Sequence, residues 1–139
     1  ALGAAAAALR SAGCSMEDAC FVHLYLRDVA DFGEANAAYC HWFDRLPPSR
    51  SCIAVQLPEG VLAAADVVAL RGSRRSMEDE EVAGVRSVLH VRSLSEWAPL
   101  CIGPYSQANV LAGSVVLLAG QIALNPPTMG MDTAGGAGL

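Results

Sequence analysis

Cys101-Ile102-Gly103-Pro104-Tyr105-Ser106-Gln107-Ala108, with Gly120-Gln121-Ile122 behind it, is the stretch on which the reading of this chain turns. Gly103-Pro104 punctuates a loop, entered from Trp97-Ala98-Pro99. Beyond the loop, residues 109–113 fit a strand ending in a turn, and residues 114–119 form a continuous apolar strand. Asn125-Pro126-Pro127-Thr128 is turn chemistry again. Before the loop, residues 87–94 read as a further strand.

Upstream lies a break in composition. Residues 71–81 run Arg-Gly-Ser-Arg-Arg-Ser and then Met-Glu-Asp-Glu-Glu, without periodicity, and read as an exposed linker extending to residue 87. Arg74-Arg75-Ser76 invites a phosphorylation reading, but such triplets are common.

The first half reads differently. Residues 1–12 are the tail of a helix, with Gly13 as its C-cap, and Ser15 to Asp18 make a polar turn. Residues 19–26 alternate, with Cys20, Val22, Leu24 and Leu26 on one face and Phe21, His23 and Tyr25 on the other. That is a strand covered on both sides. Asp31 is placed to N-cap a helix, with Glu34 at capping-box spacing. Phe32, Ala35, Asn36, Tyr39, Cys40 and Phe43 share one stripe of that helix, and Leu46-Pro47-Pro48 ends it. Residues 51–57 and 61–70 then read as two strands around Pro58-Glu59-Gly60, giving α-β-α-β-β, linker, β-β-β.

Composition narrows the function classes. A chain of 139 residues holds one domain or parts of two. Although 53% of it is hydrophobic, no apolar run reaches the roughly 18 residues a membrane span needs. Residues 1–9 lack the basic flank of a signal peptide, and both ends fall mid-pattern, as expected of a fragment. The net charge is −5, with Arg as every basic side chain, which disfavours general nucleic-acid binding. Cys14, Cys20, Cys40, Cys52 and Cys101 contain no Cys-x-x-Cys, so free thiols in a reducing compartment are expected and a zinc site is not. His23 and His41 have no metal-ligand spacing either and read as structural.

The landmarks in order resemble the RidA/YjgF family, known earlier as endoribonuclease L-PSP. Ala12-Gly13, Leu24-Tyr25-Leu26-Arg27-Asp28, Asp31-Phe32 with Asn36 and Tyr39, and Arg50-Ser51-Cys52 resemble the rear of one copy. The Ile-Gly-Pro-Tyr-Ser-Gln run and Gly120-Gln121-Ile122 resemble the front of a second. Val88-Leu89-His90-Val91-Arg92-Ser93, Trp97-Ala98-Pro99 and Asn125 to Met129 are similar to the tandem RidA-like region of eukaryotic diphthine–ammonia ligases. Three parts are therefore expected. Residues 1–70 are the C-terminal two-thirds of a first copy, 71–87 the linker, and 88–139 the N-terminal third of a second.

The resemblance implies an α+β chorismate-mutase-like fold, a sheet with two helices on one face and its elements in permuted order. It leaves open whether the halves close into one domain. It implies a ligand site of Arg50, Ser51, Cys52, Tyr105, Gly120 and Gln121, where the guanidinium clamps a small carboxylate and Tyr105 covers it. Gly103 and Gly120 serve close backbone approach, and Gln121 a hydrogen bond within the fold. The family's deaminases place a Glu where this chain has Ala64, and Ala cannot supply the ~10²–10⁴-fold help of an acid–base group. Asp66 shares that face as a shorter stand-in, and Ala119 stands where a Ser is usual. No catalytic residue and no metal are therefore expected.

The role these features imply is that of a non-catalytic module of a diphthine–ammonia ligase homologue, cytoplasmic, in a trimer-like or intramolecular assembly. The parent would amidate diphthine on elongation factor 2 with ATP, a cofactor belonging to a ligase domain whose phosphate-loop motif this chain lacks. Rival readings are an enamine/imine deaminase and, less favoured, a ribonuclease.

Overall fold

Ala-rich sequence has high helix propensity, and residues Leu2–Ser11 form helix α1 in the computed structural model, which describes residues 1–43, 46–72 and 85–131. Gly13 behind it adopts φ +73°, the left-handed conformation that lets its N–H turn back onto the Arg10 carbonyl. A Cβ there would also meet the Arg71 guanidinium, which bonds the Ala12 carbonyl at the helix end. The turn Met16–Asp18 is held by the buried Asp18 carboxylate, which accepts from the Ser15 N–H at 2.8 Å and hydroxyl at 3.1 Å.

Strand β1 (Ala19–Leu26) follows, then helix α2 (Phe32–Cys40), β2 (Ser49–Ala54) and β3 (Ala63–Ala69). β1 lies between the other two, parallel to β2 and antiparallel to β3. The alternation within β1 sets the two faces. Val22, Leu24 and Leu26 are buried with Leu2 and Ala6 of α1, Tyr39 of α2 and Phe43 beyond it, while Phe21, His23 and Tyr25 share the other face, Phe21 edge-on to His23 and His23 stacked on Tyr25. Asp31 occupies the N-cap position of α2 without a side-chain bond; Asp28 instead accepts from the Ala30 N–H of the preceding turn Val29–Asp31. Cys40, expected on the buried stripe, is exposed, because α2 ends there and the chain turns through His41.

The second half adds β4 (Arg86–Leu89), β5 (Ala108–Leu111) and β6 (Val115–Leu118), an antiparallel sheet in the order β4-β5-β6. The α+β class holds, with the strands shared between two three-stranded sheets. Strand β4 starts at Arg86, inside the stretch assigned to the linker, because its side chain is buried. Residues 73–84, with Ser76, and the Gly-rich residues 133–139 lie outside the described residues. Among the described residues, no helix is long and apolar enough to cross a membrane.

Buried polar groups join the halves. The Arg86 guanidinium donates to Asn109 Oδ1 (2.6 Å) and to the Glu17 (3.3 Å) and Leu46 (3.0 Å) carbonyls. Asn109 Nδ2 donates to Ser49 Oγ at 2.9 Å, and the Ser106 hydroxyl to the Pro47 carbonyl at 2.7 Å. Backbone bonds run from Ser106 N to Pro48 O and from Gly120 N to Arg50 O. Each lost partner leaves a buried group unsatisfied, at about 1–3 kcal/mol.

Two tryptophans report the halves separately, Trp42 in the first and Trp97 in the second. Urea unfolding of Trp42→Phe and Trp97→Phe chains should give coincident fluorescence transitions, and Arg86→Ala should lower stability by about 3 kcal/mol. Separate transitions would mean the halves do not fold together.

Candidate functional site

Parallel register pairs Arg50 with Val22 and Cys52 with Leu24, so both side chains of β2 project to the helix-covered face. There the Arg50 guanidinium, only 4% exposed, lies among three aromatic rings. Its carbon stands 4.6 Å from the Tyr39 centroid, 5.2 Å from Tyr105 and 5.7 Å from Phe32. Such contacts are worth about 0.5–2 kcal/mol each, but they do not replace hydrogen bonds. Arg50 Nη1 is buried without a hydrogen-bond partner, and so are Asn36 Oδ1 and Tyr39 Oη beside it. Burial pushes the Tyr39 phenol far up, against the pull of Arg50, so it stays protonated.

The loop from the second half closes over this group. A Cβ built on Gly103 would lie 2.8 Å from Asn36 Oδ1 and 3.0 Å from Arg50 Nη2, so glycine is what permits the approach. A Cβ on Gly120 would meet Ser51 Oγ at 3.4 Å and Ser51 Cα at 3.6 Å, ordinary contact, so the close approach expected there does not demand glycine as it does at Gly103. Tyr105, which packs on Arg50, also lines a small concavity with Pro99, Leu100, Gln107, Gly120 and Gln121. Ser51 borders that concavity through Gly120, and Gln121 donates to the Ala119 carbonyl at 3.0 Å. Cys52 packs against the core, and burial raises its thiol pKa, which removes it as a nucleophile.

The structure thus brings Arg50 and Tyr105 together and places Ser51, Gly120 and Gln121 next to the second of them. Ala64 and Asp66 are elsewhere. Register pairs them with Tyr25 and His23, on the sheet face opposite Arg50, and the Tyr25 hydroxyl donates to Asp66 at 2.8 Å. That bond raises the Tyr25 pKa. Within one chain, no group at position 64 or 66 reaches a ligand on Arg50.

Sequence reasoning gave Phe32, Asn36 and Tyr39 no part in this site, although their i, i+4, i+7 spacing on α2 put them on one stripe. It also passed over His90. The His90 imidazole sits 3.3 Å from Ser106 Oγ and 3.9 Å from Cys101 Sγ, pinning the base of the loop. Burial lowers the His90 pKa and raises that of Cys101 to about 11, so both are neutral near pH 7.

The model of the endoribonuclease L-PSP family matches residues 1–70, half of the chain, and the chain belongs to this family. It is 37% identical over 119 residues to a diphthine–ammonia ligase of Schizosaccharomyces pombe, covering 84% of this chain and 18% of the ligase. The Saccharomyces cerevisiae diphthine–ammonia ligase is 36% identical over 115 residues, 76% of this chain and 16% of that protein. The chain therefore spans less than a fifth of these relatives. The 3-aminoacrylate deaminase RutC of Acinetobacter baylyi is 38% identical over 61 residues, covering 42% of this chain and 48% of the enzyme. Among solved structures, yeast Mmf1 superimposes with TM-score 0.46 at 30% identity, covering 48% of this chain and 54% of Mmf1.

A thiol at about 11 has little thiolate at pH 8. Iodoacetamide should label Cys101 roughly two orders of magnitude more slowly than a free cysteine, by peptide mass spectrometry, with the rate rising through pH 10. Rapid labelling at pH 8 would place Cys101 outside the pocket wall.

Proposed function

We propose that this chain is a RidA-like module of a diphthine–ammonia ligase homologue that binds a small carboxylate rather than turning one over. The observation that carries the binding is the Arg50 guanidinium, buried to 4% exposure, with no carboxylate of the described residues paired to it. An uncompensated buried charge costs several kcal/mol, and a planar guanidinium is shaped for a carboxylate's two oxygens. The ligase assignment is supported by similarity that runs through both halves, over 84% of the chain.

Three further parts belong to the same reading. ATP and elongation factor 2 are contacts of the parent's ligase activity, in a cytoplasmic protein. The apolar side chains Ile53 and Val68, 49% and 47% exposed on the outer sheet face, support a trimer-like or intramolecular RidA assembly. The deaminase alternative draws on the likeness to RutC, but Ala64 offers no acid, and Asp66 is engaged by Tyr25 on the other face.

Titration with pyruvate should produce saturable binding that Arg50→Met abolishes. The same variant should unfold at higher urea, by about 1–3 kcal/mol, because a buried unpaired charge is replaced by an apolar side chain of similar length. Loss of stability in Arg50→Met, with no pyruvate binding to the parent chain, would make the arginine structural. Loss of 2-aminoacrylate should proceed no faster than in buffer; Arg50-dependent acceleration would favour the deaminase.

A further inference from the structure

Residues 90 and 91 are the post to which the Tyr105 loop is tied. The Val91 N–H donates to Gln107 Oε1 at 2.9 Å, Gln107 Nε2 donates to the Pro99 carbonyl at 2.9 Å, and Cys101 N donates to Val91 O at 3.3 Å. Those bonds stay within the second half. Ser106, fully buried, carries the loop across to the first: its N–H donates to Pro48 O at 3.1 Å and its hydroxyl to Pro47 O at 2.7 Å. With its one proton committed to Pro47, the Ser106 oxygen can only accept, so His90 Nδ1, 3.3 Å away, is the donor. The neutral imidazole with its proton on Nδ1 thus orients the hydroxyl that bridges the halves.

The surroundings of the ring disfavour a second proton. Arg92 follows on the same segment, the Cys101 thiol lies 3.9 Å from Nδ1, and the loop adds Tyr105 through its carbonyl. On the β2 side, the Arg50 guanidinium acts on both Cys101 and Tyr105. The charged groups around the imidazole are therefore cations, and among the described residues no carboxylate bonds it. Burial and then Arg92 hold the ring neutral, against the smaller pull of the Tyr105 carbonyl.

We propose that His90, Ser106 and the Pro47 and Pro48 carbonyls form a pH-sensitive clasp between the two halves, closed near pH 7 and released on acidification, when the Tyr105 loop detaches from the start of β2. The direction follows from proton linkage. The closed clasp resists a proton that the open one accepts at the ordinary histidine value of 6.5, so closure is at full strength above that pH and is lost as pH falls below it. Release uncovers Arg50, because the same loop lays Tyr105 and Gly103 against the guanidinium. The clasp does not depend on what Arg50 binds.

Hydrogen exchange of the whole chain, read by mass spectrometry, follows the clasp directly. Protection is taken relative to the intrinsic exchange rate at each pH, so that the pH dependence of the chemistry cancels. Between pH 8 and pH 5, protection of peptides spanning residues 101–107 should fall at least about threefold, within the ceiling of about tenfold per pH unit that one proton allows. Peptides from β1 should hold theirs, since local opening leaves the first-half sheet intact. His90→Gln keeps an N–H for Ser106 but cannot titrate, and its loop protection should stay level across the range. Arg92→Gln removes the nearby cation and should show a smaller fall than the parent; it serves in place of His90→Gln if that variant does not fold. Loop protection independent of pH in the parent chain overturns the clasp. So does a fall as large in His90→Gln as in the parent, a fall in Arg92→Gln equal to or larger than the parent's, or a fall shared equally by β1, which would be acid unfolding of the whole molecule.

Discussion

The outer edge of β2 is where this molecule is assembled, and the hydrogen bonds made there hold everything else in place. β1 satisfies only one edge of that strand, and the second half satisfies the other through Ser106, Asn109 and Gly120. Because these bonds are buried and specific to individual atoms, they fix the second half to within the tolerance of a hydrogen bond. Arg86 extends the joint to the Glu17 and Leu46 carbonyls, so the β4–β5–β6 sheet is tied to the first half at several separated points. Without that docking, Arg50 would lie in an open groove with no loop above it.

The pocket inherits its character from this joint. Its cation and aromatic floor come from the first half, and its cover comes from the second. A charge stabilised by ring faces but not by a counter-ion is costly to maintain, and the proposal of anion binding rests on that cost. The opposite sheet face carries a different chemistry, with Tyr25 bonded to Asp66 and His23 stacked on Tyr25. The β-strand alternation that buries Val22 and Leu24 keeps these two sets of groups apart.

Much of the local structure was readable from residue patterns. Alternation in residues 19–26 placed β1 and divided its faces, and Gly13 marked the end of α1. Asp31 does stand at the N-cap position of α2, but it makes no side-chain cap bond; Asp28, three residues earlier, accepts from the Ala30 N–H of the preceding turn, a choice set by turn geometry that spacing does not reveal. The beginning of β4 was hidden as well. Arg86 reads as one more charge at the end of a charged stretch, and only its buried partners explain why it opens a strand. Within the site, Arg50 and Tyr105 were legible through the motifs carrying them. Asn36 and Tyr39 were visible as a helical stripe but had no sign of polar purpose, since an orphaned atom exists only once its surroundings are folded.

The sequence by itself determined the family, the element order and the absence of an acid at position 64, because motifs and periodicity are local properties of the chain. The tertiary structure alone decided that position 64 faces away from Arg50, that two three-stranded sheets meet along β2, and that Gly103 closes the pocket. Those are matters of register and docking. They depend on which distant backbone groups satisfy one another, and no spacing along a single strand records that choice.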